Sequence, residues 1–137
     1  MSRTYIPQSL RQLVETRAHG KYEYCLIHKD EVIIPHEPDH IIAEQHGGKT
    51  SLENLALACL HCNRNKGPNL TSIDPETRQI VAIYNPRNQR WDEHFYLDGA
   101  LIEAFSSTGR ATANLLKLNI PERINIRQAL LDMQLYP

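Results

Sequence analysis

The stretch Asp39-His40-Ile41-Ile42, followed by Asn54-Leu55 and then Cys59-Leu60-His61-Cys62-Asn63, decides how this chain is read. It spaces an acid, two imidazoles, two carboxamides and a pair of thiols along one short segment. Hydrolysing a phosphodiester requires an activated water, a cation that neutralises charge developing on phosphorus, and a group that holds the base in line. His40 is a neutral imidazole near pH 7 and can take a proton from water. The Asp39 carboxylate and the Asn63 amide oxygen are hard ligands suited to Mg²⁺ or Mn²⁺.

In order and spacing, these residues resemble the HNH (ββα-metal) endonucleases, a family built on two strands and a helix around one divalent ion. The resemblance implies that His40 is the general base and Asp39 the metal-binding carboxylate. It makes Asn54 the central asparagine that braces the loop and the base, and Asn63 the last motif residue, which binds the ion. With asparagine in that place the chain resembles the HNN variant. A carboxamide oxygen is harder than an imidazole nitrogen, so the expected ion shifts from Zn²⁺ or Ni²⁺ toward Mg²⁺ or Mn²⁺. The implied activity is one-metal hydrolysis of DNA leaving 5′-phosphate ends, carried by a core from about Glu37 to Gly67. The rival reading is a zinc-stabilised DNA-binding module without catalysis, in which Asp39, His40 and Asn63 merely cap elements.

A second metal site is written in the cysteines. Cys25-Leu26-Ile27-His28 and Cys59-Leu60-His61-Cys62 each place two residues between potential ligands, the spacing that brings both to one tetrahedral zinc. The implied site is Cys₃His, from Cys25, His28, Cys59 and Cys62, with His36 or His61 as alternatives to His28. Because Cys62 and Asn63 are adjacent, such a zinc would pin the start of the helix presenting Asn63. The other reading is three reduced, buried thiols acting as small hydrophobes.

The 137 residues, 41% of them hydrophobic, predict one compact α+β domain. Residues 1–24 form its N-terminal helix, 25–67 the zinc-bound core and 68–137 a scaffold of a small sheet and helices. No apolar run approaches the ~18 residues of a membrane span, and Met1 to Tyr5 lack the apolar region of a leader, so a cytoplasmic protein without a membrane partner is expected. A net charge of −1 argues against nucleic acid in sum but not in distribution. Residues 59–91 hold Arg64, Lys66, Arg78, Arg87 and Arg90 against only Asp74 and Glu76. Arg64, Lys66, Arg87 and Arg90 are the candidate contacts to DNA, a rim that binds phosphate without reading bases. His46, His94 and Arg110 are weaker candidates.

Local patterns place these residues on elements. Pro7, the stripe Leu10, Leu13, Val14 and the stop at Gly20 predict the opening helix. Val32–Ile34 and Asp39–Ile42 read as strands separated by breaks at Pro35 and Pro38, and Leu55–Ala58 as a third. Residues 43–53, with Gly47-Gly48, read as a returning loop, and Leu60–Lys66 as a helix ended by Gly67-Pro68. Beyond it, a turn over residues 73–77, strands at 80–84, 91–97 and 100–104, a helix over 110–118 capped by Ser107-Thr108 and another opened by Pro121 are predicted.

Overall fold

Helix α1 spans Gln8–Arg17, with Pro7 as its N-cap, where a missing N–H costs nothing. Val14 of its stripe is fully buried, Leu10 half-buried and Leu13 exposed. Arg17 ties the helix to the chain ahead, donating from Nη1 to Leu52 O at 2.7 Å and from Nη2 to Leu55 O at 2.5 Å. This computed structural model describes residues 4–34 and 36–137. Met1 to Arg3, on which the leader argument partly rests, and the break at Pro35 lie outside the described residues.

After α1 the chain doubles back on itself. Lys21 and His28 form an antiparallel bridge, and the Tyr22 N–H donates to Ile27 O at 2.8 Å. The reversal passes through Leu26 at φ 67°, a left-handed conformation that costs a residue with a Cβ roughly 1–2 kcal/mol. Cys25 is buried at this bend.

Strand β1, Asp39–His40, pairs antiparallel with β2, Leu55–Ala56, setting Asp39 opposite Ala56 and His40 opposite Leu55. Leu55, Ala56, Leu57 and Ala58 have no exposed surface, which places this run in the buried centre of the molecule. Helix α2, Leu60–Lys66, follows; Cys59 Sγ accepts the Cys62 N–H at its start, and Gly67 at φ 51° ends it. Two short strands and a helix therefore succeed one another where the core is expected.

Elsewhere the structure corrects the pattern. Val32–Ile34 make no strand: a single 3₁₀ turn, Lys29–Glu31, is capped by His28, and Ile33 is entirely exposed with nothing paired to it among the described residues. β-Branched side chains without a partner strand do not make one. The C-terminal strands form two separate hairpins rather than one sheet: β3, Thr71–Ile73, with β4, Ile80–Ala82, and β5, Phe95–Asp98, with β6, Leu101–Ala104. Trp91–Glu93 is a 3₁₀ turn, anchored by the Trp91 indole donating to Tyr24 O at 3.0 Å.

Helix α3, Ser107–Leu115, begins earlier than predicted because Ser106 is its cap, accepting the Gly109 N–H at 2.9 Å. It is fastened to the first hairpin by Arg110, whose Nε and Nη2 reach the buried Asp74 carboxylate at 3.0 and 2.9 Å. Pro121 opens α4, Pro121–Asp132, as expected. One buried apolar cluster runs from Ile6 to Tyr136 and so joins both ends of the chain. No described helix is long and apolar enough to cross a membrane.

Candidate functional site

One side chain shapes the loop between β1 and β2. Asn54 Oδ1 accepts the Ile42 N–H at 2.9 Å, and its Nδ2 donates to Ile42 O at 2.9 Å and Lys49 O at 2.8 Å. Gly48 makes this closeness possible, since a Cβ there would lie 1.6 Å from Ile42 O and 2.8 Å from Asn54 Nδ2. The loop so held delivers Thr50 to His40, with 2.8 Å between Thr50 Oγ1 and Nε2, and sets Glu44 Oε1 3.6 Å from the same nitrogen. His40 Nδ1 has no partner among the described residues.

Asp39 lies behind His40 and is only 4% exposed. Tyr24 donates its hydroxyl to Oδ2 at 3.2 Å, and Lys66 Nζ stands 3.2 Å from Oδ2 and 3.0 Å from His40 O. Burial pushes the Asp39 carboxyl up, while the Lys66 charge and the Lys66 and Tyr24 hydrogen bonds pull it back. Asn63 is half-buried on α2, next to Cys62 and one turn before Lys66, and its side chain makes no hydrogen bond among the described residues. The carboxylate and the carboxamide are donors for a hard cation. Such an ion would have to compete with the Lys66 ammonium for Asp39.

The thiols come together. The Sγ atoms of Cys25, Cys59 and Cys62 all lie within 4.8 Å of one another, buried and unbridged. His28 does not join them: its Nδ1 accepts the Asp30 N–H at 3.1 Å, and its ring rests on Gly20, where a Cβ would approach Nε2 to 2.5 Å. His36 Nδ1 is instead 3.1 Å from the Tyr22 hydroxyl, and His61 is exposed. The Cys₃His expectation is thus reduced to three sulfurs.

What meets those sulfurs is Arg123 of α4. Its Nη2 donates to Cys62 Sγ at 3.1 Å and to Cys59 Sγ at 3.4 Å, and its Nη1 to Leu116 O at 2.9 Å. Burial acts to lower its pKa, but the charge on Cys62, Cys59 and Cys25 outweighs that and raises it. Hydrogen bonds from Cys25 and then Cys62 hold the Cys59 thiol far below the usual range, while the bond to Cys59 sends Cys25 up to about 12. Burial, followed by the bonds to Cys25 and Cys59, pushes the Cys62 thiol well up, so of the two sulfurs facing the guanidinium it is Cys59 that is held as the thiolate. Three thiolates on Zn²⁺ leave a single negative charge, which one guanidinium balances. The three-sulfur donor set and this charge balance are compatible with zinc, which would need a fourth ligand to close a tetrahedral site.

The basic rim is thinner than its composition suggested. Lys66 is 1% exposed and committed to Asp39, and Arg87 is paired with Glu23, whose second oxygen accepts the Leu57 N–H at 2.8 Å. Neither is free to meet phosphate. Arg64 is exposed, as is Arg90, which makes only a surface pair with Asp92 at 3.3 Å. Arg110 is held by Asp74 and His94 by Ser106 at 2.6 Å, so both fasten the scaffold, while His46 is exposed on the loop.

Sequence reasoning missed Thr50, Tyr24 and Arg123. The first two carry no local signal, being ordinary residues given roles by tertiary placement. Arg123 has a faint one, a cation between the helix-opening Pro121 and the apolar Ile124.

Residues 23–69 match the family model for HNH endonucleases, a span that takes in all three cysteines, Asp39, His40, Asn54, Asn63 and Lys66 and stops before β3. No curated protein and no solved structure matches the chain.

Proposed function

We propose, from the match of residues 23–69 to the HNH endonuclease family model, that this chain is a metal-dependent DNA endonuclease of the HNN type. The observation that carries the reading is the setting of His40: one ring nitrogen is engaged by Thr50 at 2.8 Å, the other is without a partner, and Asp39 precedes it on the same strand. Thr50 fixes the ring's orientation, and with Nε2–H donating to its hydroxyl, Nδ1 is left to draw a proton from an attacking water. Asn54 holds the loop that supplies Thr50 and so maintains this geometry. Asp39 and Asn63 would hold Mg²⁺ or Mn²⁺, which when bound neutralises charge developing on the scissile phosphate. Cys25, Cys59 and Cys62 would hold a structural Zn²⁺ and pin the first turn of α2, and exposed Arg64 and Arg90 would contact the DNA backbone.

One observation favours the non-catalytic alternative, in which the same surface binds DNA without cutting it. Lys66 already neutralises the buried Asp39, so the carboxylate has a partner without any divalent ion. The two readings separate on supercoiled plasmid incubated with Mg²⁺ or Mn²⁺. An endonuclease yields nicked or linear product that vanishes on omission of the ion and in His40→Ala; retardation alone, under every metal condition, identifies a binder and overturns the nuclease reading.

A further inference from the structure

Beside the Asp39–Lys66 pair lies a cleft of about 250 Å³. Lys66 forms part of its wall, and the same lysine donates to the carbonyl of His40, so the cleft adjoins the strand that carries the base. Ile41, Ile42, Leu70 and Tyr84 give it apolar surfaces. Its far side is the turn of residues 85–89, which contributes Asn85, Asn88 and Gln89.

That turn is built in advance of any ligand. Asn85 Oδ1 accepts the Arg87 N–H at 2.9 Å, Gln89 Oε1 accepts the Asn85 N–H at 2.9 Å, and the Gln89 N–H returns to Asn85 O at 3.0 Å. Arg87 locks it from behind through Glu23. Both carboxamide oxygens are thereby consumed by the turn. The Asn85 and Gln89 NH₂ groups, and the whole Asn88 carboxamide, have no partner among the described residues. The cleft is thus lined by apolar residues and by a hydrogen-bonded turn whose carboxamide donors have no partner among the described residues.

We propose that this cleft receives one unpaired nucleobase next to the phosphate held at His40, its flat faces against Ile41, Ile42 and Leu70 and its ring carbonyl and nitrogen acceptors met by the amides of Asn85, Asn88 and Gln89. This rests on the nuclease reading for the identity of the substrate and deepens it: the preferred DNA is bulged, branched or single-stranded rather than fully paired. A base inside a duplex has its faces stacked on its neighbours and cannot enter a concave site, whereas an extrahelical one can. Donor-rich carboxamides and apolar faces are complementary to a base rather than to a bare phosphate, since the cation in the lining, Lys66, is already paired with Asp39.

The test compares the intact protein's affinity for two duplexes, one carrying a single bulged 2-aminopurine and one an abasic bulge with the same backbone, without added Mg²⁺ or Mn²⁺. The expected result is a preference for the base of roughly ten-fold, with a change in 2-aminopurine fluorescence. In Asn88→Ala the ratio falls several-fold, and in Ala82→Trp, which fills the cleft from the exposed strand β4, it approaches one; circular dichroism checks that each variant is folded. Equal affinity for the two duplexes in the wild type, or an unchanged ratio in folded Ala82→Trp, overturns the assignment. Plasmid cleavage without a base preference removes the cleft proposal and leaves the nuclease reading. Base preference without cleavage does the reverse.

Discussion

At the scale of single residues, His40 and Asp39 are neighbours in sequence with opposite surroundings: the imidazole is partly open, the carboxylate closed over by Lys66 and Tyr24. His40→Ala is expected to lower plasmid cleavage by about 10²–10⁴-fold while leaving the thermal transition in place, as loss of a general base does; unaltered cleavage in a gel assay removes the base assignment. Lys66→Met strands a buried carboxylate and is expected to destabilise the fold by about 3–5 kcal/mol, measured by urea unfolding. Asp74 is a contributor to acid sensitivity through its pair with Arg110. Arg110, followed by the Glu76 N–H and the Thr77 hydroxyl, holds its carboxyl far below the ordinary value. A depressed folded pKa stabilises above the unfolded value of about 4 and loses that contribution as pH falls below it. Melting temperature should therefore drop below pH 4 in the wild type, and less steeply in Arg110→Met. The grouping of His40 and Asn54 at one loop was legible because their spacing is local, whereas Lys66 was read as a phosphate contact because sequence does not reveal that a lysine one turn past Asn63 folds back onto Asp39.

At the scale of elements, the expected succession of β1, β2 and α2 was legible from proline breaks, the paired glycines and the stop at Gly67-Pro68. The strand expected at Val32–Ile34 was not, because strand formation needs a neighbour and none is encoded nearby. The paired hairpins were misread as one sheet for the related reason that hairpin turns specify local pairing but not lateral association. The β1–β2 loop is a unit whose form depends on Asn54. Asn54→Ala leaves the Ile42 N–H and the Ile42 and Lys49 carbonyls without their partner, and a loss of about 1–3 kcal/mol is expected by denaturant unfolding. Since Thr50 rides on this loop, the same variant should also shift the pH profile of cleavage. An unchanged profile would mean that Thr50 does not govern the imidazole.

At the scale of the whole molecule, α4 closes the structure by setting Arg123 on Cys59 and Cys62, whose sulfurs cluster with that of the distant Cys25. The ligand pairs were visible in the sequence, but their meeting with a guanidinium some sixty residues on was not. If zinc holds the cluster, chelation should lower the melting temperature and make three thiols reactive toward a chromogenic disulfide reagent; the same three reacting before chelation would show the site to be metal-free. The central claim is that Asp39 and Asn63 converge on one hard cation beside His40. Anomalous diffraction from a Mn²⁺-soaked crystal tests it most directly. The account predicts a peak about 2.1 Å from oxygens of Asp39 and Asn63, with Lys66 Nζ displaced from the carboxylate. A crystal that cuts soaked DNA while Asp39 stays paired with Lys66 and no peak stands between the two residues would contradict it.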